Sequence, residues 1–312
     1  MTDNPFDVGC VEPEHVDAPE YVADVPQAFV SGIQRLTSAE YHADPSPEPS
    51  LSATLAKLIV GKSPLHAWFA SPRLNPNRVQ IDKKTFDIGR AAHRAVLGEG
   101  DDYVAIPDEL LSADGKATTK AAKDFVAEAR ASNRVPLKQS EVDQVNAMGE
   151  VARHRLAERG IILDPSRSEL AAVAQIDGVW CRAMFDNVPA DPKLPIWDFK
   201  TCEDASPAAC LRAIVNYGYD IQDAHYRAVW KAATGEDRDF VFVFQEKPEP
   251  NEVTLISLSG LFFEMAQRRA AKARKLWAEC TRTNTWPGYP AGLHEVDPPA
   301  WLVERDFQEE YA

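Results

Sequence analysis

The sequence is short of several things, and each shortage removes a class of protein. It has no run of about 18 apolar residues, so no segment reads as a membrane helix. Its opening, MTDNPFDVGC, lacks the basic-then-apolar layout of a secretory leader. The expectation is a cytoplasmic protein that touches no membrane. Cysteine is scarce: the five residues Cys10, Cys181, Cys202, Cys210 and Cys280 are odd in number and widely spaced. With no C-x-x-C pair, neither a disulfide framework nor a zinc site is expected. Positive charge is also short, at 34 bases against 48 acids and a net charge of −14. Residues 1–50 hold ten acids and one base, and residues 294–312 hold six acids and one base. The two ends thus carry the whole imbalance and leave a neutral body. Such a body can still hold a local basic groove, so whole-chain charge does not decide the partner.

What remains is an ordinary globular composition, 45% hydrophobic and 26% charged in 312 residues. Residues 1–31 are acidic and aperiodic and read as a mobile tail, with DPSPEPS (44–50) as a Pro/Ser hinge. The expected division is a tail and hinge over 1–50, one catalytic domain over 51–293, and an acidic segment over 294–312. Ser52 is placed to cap a helix SATLAKLIVG, and PLHAWFAS follows as a short helix. FDIGRAAHRAVLG predicts a helix with Phe86, Arg90, His93 and Leu97 on one face, ended by Gly98. YVAIP predicts a strand, and 117–131 and 140–158 predict two helices. The period then changes. SELAAVAQIDG, VWCRAMFDNVP and LPIWDFKT read as three consecutive antiparallel strands. Helices over 206–215 and 218–233, two strands and a helix over 260–283 complete the chain. The fold class is α/β, a central mixed sheet flanked by helices.

The chemistry concentrates in PIWDFKT. Strand alternation sends Asp198 and Lys200 to one side and Trp197, Phe199 and Thr201 to the other. A hairpin through DNVPADPKLP brings Asp186 beside Asp198, and Glu169 lies one strand earlier. Three carboxylates and a lysine can therefore converge on one sheet edge. Oxygen donors of this kind suit Mg²⁺, with Mn²⁺ able to substitute. Asp186, Asp198 and the Phe199 backbone carbonyl would be direct ligands, with Glu169 a ligand or an orienting group. Lys200 would position a water and stabilise charge on a phosphate. His93, an imidazole on an otherwise apolar helix face, could serve a second metal. Gln222 and Tyr226 share one face of the helix YDIQDAHYRAVW.

In this order, the pattern G-x-x-x-H (Gly89 to His93), Glu169, Asp186, D-x-K (Asp198 to Lys200) and Q-x-x-x-Y (Gln222 to Tyr226) resembles the PD-(D/E)XK nuclease superfamily, RecB-like branch. AEYHADPSPEPSLSATLAKLIVGKSPLHAW, GVWCRAMFDNV with IWDFKT, and NTWPGYP further resemble the phage and prophage exonuclease VIII (RecE-type) nucleases. The resemblance spans about residues 36–305. It implies two-metal-type hydrolysis of DNA phosphodiesters from the ends of linear duplex, with 5′→3′ polarity, in phage-type homologous recombination. It also implies a homo-oligomeric ring and a single-strand annealing recombinase as partner. On the same grounds Asp186 and Asp198 are metal ligands, Lys200 is the catalytic lysine, Glu169 and His93 are accessory metal-site groups, and Gln222 and Tyr226 orient the site. Members with an iron–sulfur cluster need four suitably spaced cysteines, so no cluster is expected here.

Candidate DNA contacts are Arg268, Arg269, Lys272, Arg274 and Lys275 on the last long helix, with Arg73, Arg78 and Arg90 elsewhere. Two other readings use the same residues. A PD-(D/E)XK endonuclease or single-strand nuclease would differ in the substrates it cuts. A non-catalytic DNA-binding assembly protein would bind without Mg²⁺ and degrade nothing.

Overall fold

A computed structural model describes residues 31–78 and 87–310. In chain order it opens with strand β1 (Gly32–Arg35), helix α1 (Ser38–His42), strand β2 (Leu51–Ser52), and helices α2 (Ala53–Gly61), α3 (Pro64–Ala70) and α4 (Asp87–Leu97). Strand β3 (Asp102–Ala105), helix α5 (Lys120–Ala131), strand β4 (Arg134–Leu137) and helix α6 (Gln139–Ala157) follow. Strands β5 (Ser168–Ile176), β6 (Val179–Asn187) and β7 (Ile196–Cys202) come next, then helices α7 (Pro207–Tyr217) and α8 (Tyr219–Thr234). Strands β8 (Phe240–Glu246) and β9 (Val253–Ile256) and helices α9 (Gly260–Thr283) and α10 (Ala300–Glu310) end the chain.

The main sheet is mixed, in the order β1-β5-β6-β7-β8-β9, with β2 added against β6. β7 and β8 run parallel and the remaining neighbours on this path are antiparallel. One face of the sheet packs on α2, α8 and α9 through Phe185, Phe242, Phe244, Trp230 and Trp277. The other packs on α4 and α6 through Trp197, Phe199, Val243, Leu97 and Met148. This is the expected α/β architecture with a mixed sheet between helices. The two β7 aromatics enter the core, as the alternation required. Ser52 caps α2 by accepting from the Leu55 N–H. Among the described residues no helix is long and apolar enough to cross a membrane.

The register explains where a cleft opens. β5 and β6 pair along eight positions, whereas β6 and β7 share one, Asn187 with Trp197. Beyond that pair the strands part, and further back along β6 it is β2 that pairs, at Cys181 and Arg182. The sheet is therefore forked at the start of β7, and the fork leaves backbone donors and polar side chains to be satisfied by something other than a ladder.

Two expectations need correction. The tail does not extend to residue 50: Gly32–Arg35 adds an edge strand to β5, and α1 carries a capping box from Thr37 and Glu40. Of the mobile tail proposed for residues 1–31, residues 1–30 lie outside the described residues, as do Thr85 and Phe86 at the start of the α4 pattern. The Pro/Ser stretch 44–50 is not a hinge. It wraps a buried Asp44 whose oxygens accept from the Ser50 N–H and hydroxyl at 2.8 and 2.7 Å. Arg182 on β6 closes the loop, 3.0 Å from Asp44 and bonded to the Ser50 carbonyl and hydroxyl. Proline and serine there serve a fixed turn around a charge pair, a geometry that composition does not distinguish from a flexible linker. Strand β4, for which the sequence reading offered no element, pairs with β3 in a two-stranded sheet, where Pro136 is tolerated.

The Asp44–Arg182 pair is buried on both sides, so removing one partner strands the other charge. Arg182→Met is expected to lower unfolding free energy by about 3–5 kcal/mol in a urea titration. A parental urea midpoint for that variant would show that the pair does not anchor the N-terminal segment.

Candidate active site

The residues predicted from sequence meet at the fork. At the point where the β6–β7 ladder stops, the Asp186 carboxylate takes the place of a strand carbonyl, accepting from the Phe199 N–H at 2.6 Å. Asp198 and Lys200 leave β7 toward α2 and α8. Lys200 Nζ reaches Asp198 Oδ2, and the other Asp198 oxygen accepts from Gln222 Nε2 at 2.8 Å. Glu169 sits on β5 between Ser168 and Leu170, which pair with Asn187 and Phe185; Glu169 itself has φ +51. A left-handed residue inside a strand is strained, and such residues are retained where the surroundings hold them in place.

His93 enters from α4. The spacing G-x-x-x-H acquires a physical reason here: a Cβ on Gly89 would stand 3.3 Å from the Thr201 hydroxyl, so a glycine lets α4 lie close on β7. One turn later the His93 ring packs edge-on against Phe199, and its Nδ1 is 3.8 Å from Asp186. Donor atoms of His93, Glu169 and Asp186 all lie within 4.8 Å of one another. Asp198 does not join this trio, because Lys200 and Gln222 hold its oxygens.

The electrostatics of the trio fit a divalent cation. Burial, then the charges of Asp186, Asp101 and Asp198, push the Glu169 carboxyl up to about 8. Burial also lowers the His93 pKa, against the pull of Asp186, which favours the neutral imidazole that ligates metals. An oxygen-rich set with one imidazole and no internal cation suits Mg²⁺ or Mn²⁺. The other half of the site is balanced differently. Burial works against the Lys200 ammonium, but Asp198 and Asp186 more than offset it and hold its pKa above the ordinary value. Burial likewise raises the Asp198 carboxyl, to about 6, with Lys200 opposing.

Gln222 and Tyr226 fare differently. Gln222 is an internal ligand of Asp198. Tyr226 belongs to the core, edge-on to Phe185 and Phe240. Sequence reasoning missed Lys57. On α2, it donates to Gln222 Oε1 at 3.0 Å and lies 4.8 Å from the Tyr219 ring centre, while Lys200 lies 5.2 Å from the same ring. Nothing in the sequence couples positions 165 residues apart.

The candidate DNA contacts divide too. Arg73 is committed to the Asp44 and Ser46 carbonyls at 2.9 and 2.7 Å, so it pins the N-terminal loop. Arg90 pairs with Asp87 at 2.7 Å. On α9, Arg269 pairs with the buried Asp220, Arg274 is 3.6 Å from Asp177, and Arg268 pairs with Glu264 along the helix. Lys272 and Lys275 are exposed on that helix and Arg78 is half-buried.

With this geometry in hand, comparison with known proteins decides the family. Residues 66–296 match the family model described as a PDDEXK-like domain of unknown function (DUF3799). The chain belongs to that family. Among curated proteins none matches. Among solved structures, a candidate exonuclease from Eubacterium rectale superposes with a TM-score of 0.57 at 11% identity, over 87% of this chain and 98% of that one. A phage-related exonuclease from Haemophilus somnus gives a TM-score of 0.30 at 16% identity, over 62% of this chain and 95% of that one. At 11% identity the first likeness is one of fold, and it agrees with the PD-(D/E)XK architecture expected from the motifs.

Glu169→Gln removes one donor of the trio and one of its mutually repelling acids. Its affinity for Mn²⁺, measured by titration calorimetry, should fall by more than about tenfold. Its thermal midpoint in chelator should hold or rise. Parental Mn²⁺ affinity would exclude Glu169 from the site.

Proposed function

We propose that this PDDEXK-like protein is a metal-dependent exodeoxyribonuclease that hydrolyses linear double-stranded DNA from its ends. The observation that carries the reading is the fork itself. A carboxylate–imidazole trio lies beside an Asp198–Lys200 pair, on a fold of the PD-(D/E)XK type. Acids grouped without a cation have a use if a divalent ion joins them, and a lysine held charged beside them suits a phosphate substrate.

His93, Glu169 and Asp186 would hold the ion, with Asp198 and the Phe199 carbonyl as the further ligands expected from the D-x-K strand. When bound, Mg²⁺ or Mn²⁺ supplies Lewis acidity toward the scissile phosphate and lowers the pKa of a coordinated water. The protein's own part is positional. Asp186 and Asp198 are fixed by a backbone N–H and by Gln222 respectively, so neither needs to reorganise. Lys200 keeps its proton and can donate to a nonbridging oxygen or orient the attacking water. Trp197 and Phe199 back the strand against α4 and α6 and so keep the carboxylates from drifting apart.

Further parts of the reading rest on the family resemblance: 5′→3′ polarity, a homo-oligomeric ring around DNA, and a role in phage-type recombination beside a single-strand annealing protein; a cytoplasmic location is proposed from the sequence. Enclosure of the duplex would suit processive digestion, and a ring of like subunits is one way to achieve it. Lys272 and Lys275 remain phosphate-contact proposals.

An end-labelled linear duplex and a closed circle, each incubated with Mg²⁺, test the function. The linear substrate should be degraded, label leaving first from 5′ ends, and the circle should survive. Chelator should abolish digestion, and Lys200→Ala should slow it by about 10²–10³-fold. A cleaved circle would mean an endonuclease. A parental rate for Lys200→Ala would remove the lysine from the chemistry.

A further inference from the structure

Lys57 is an unusual neighbour for a nuclease-type site. Lys57 is half-buried as a residue, and burial with the nearby Lys200 charge presses its pKa down to about 7. A lysine drawn this far from water ordinarily finds a carboxylate. This one donates instead to a neutral amide, Gln222 Oε1, at 3.0 Å. Its route there is built into the fold. The stem crosses Gly218, the left-handed residue between α7 and α8, where a Cβ would stand 3.2 Å from Lys57 Cγ. The Tyr219 ring then lies 4.8 Å from the ammonium.

The amide is the part that matters. A glutamine side chain presents an oxygen at one end and N–H donors at the other, and rotation by half a turn exchanges them. Asp198 needs a donor, so Gln222 must turn its nitrogen toward β7, as it does at 2.8 Å. Lys57 supplies a donor on the opposite side, which only the oxygen can accept. The two demands select one orientation. Without Lys57 the flipped amide would set its oxygen against the Asp198 carboxylate, or swing away and leave a buried carboxylate oxygen unpaired.

We propose that Lys57 is a positioning residue of the active site, locking the Gln222 amide so that its nitrogen holds Asp198 in place. The chain of contacts runs from α2 to α8 to β7, and its end point is the carboxylate paired with Lys200. The kinetic side of this inference rests on the nuclease reading above, and the binding side on Asp198 serving as the further metal ligand named there.

The test uses the full chain with Lys57→Met, Lys57→Arg, Gln222→Ala and the double variant Lys57→Met/Gln222→Ala. Methionine keeps an apolar stem over Gly218 and Tyr219, and Lys57→Gln takes its place if that variant does not fold. Two quantities are read: Mn²⁺ affinity by calorimetry, and nucleotide release from linear duplex as a function of DNA concentration. Lys57→Met should weaken Mn²⁺ binding and lower kcat, each by about tenfold, with KM for DNA unchanged. Lys57→Arg should restore most of both. The double variant should be no worse than Gln222→Ala, because the two residues act through one link. Effects that multiply in the double variant would overturn the proposal. So would a change in KM alone, which would make Lys57 a direct phosphate contact. If the parental chain releases no nucleotide, the nuclease reading fails, and the Mn²⁺ affinities of the four variants still decide the role of Lys57.

Discussion

The β6–β7 ladder stops after a single pair, and the site depends on that opening. A sheet normally satisfies its own backbone and leaves no room for charge between strands. Here the strands part just where Asp186, Asp198 and Phe199 meet, so a carboxylate takes a backbone donor and acidic side chains share a small volume. Burial first, and the neighbouring acids after it, push the Glu169 carboxyl up to about 8. Two hydrophobic layers make the arrangement possible. Phe242 and Phe244 with α8 on one side, and Trp197 and Phe199 with α4 and α6 on the other, hold β7 rigidly enough for the fork to stay open.

The site has two electrostatic halves. On the His93 side three donors face one another with neighbouring acids adding to their repulsion. On the α8 side two lysines flank the Tyr219 ring, and Asp198 lies between Lys200 and the amide that Lys57 engages. One half has a deficit of positive charge and the other carries it on protein groups. A phosphodiester, anionic and drawn to both a metal ion and ammonium groups, is the kind of substrate such a division suits.

Much of this was legible in the sequence because it follows from local periodicity. Strand alternation placed Trp197 and Phe199 in the core and Asp198 with Lys200 opposite them. The helix containing Gly89 and His93 was predicted from its spacing, although the reason for the glycine, its approach to Thr201, appears only when β7 is in place. What stayed hidden depends on contacts distant in the chain. Lys57 meets Gln222 across 165 residues. Asp44 and Arg182 are 138 positions apart by number, so a Pro/Ser segment that folds around them reads as a linker. Glu169 was found by its place one strand before Asp186, while its left-handed backbone could not be foreseen from a Glu in an apolar strand. Arg73 shows the opposite error: a basic loop residue suggests DNA until its carbonyl partners are seen.

The central claim is that the fork gathers a divalent ion between β5, β6 and α4. Crystals grown with Mn²⁺ and measured for anomalous scattering test it most directly. The account predicts one strong peak within about 2.0–2.3 Å of a Glu169 oxygen, an Asp186 oxygen and a His93 nitrogen. A peak bound elsewhere, or an empty fork at saturating Mn²⁺, would contradict it.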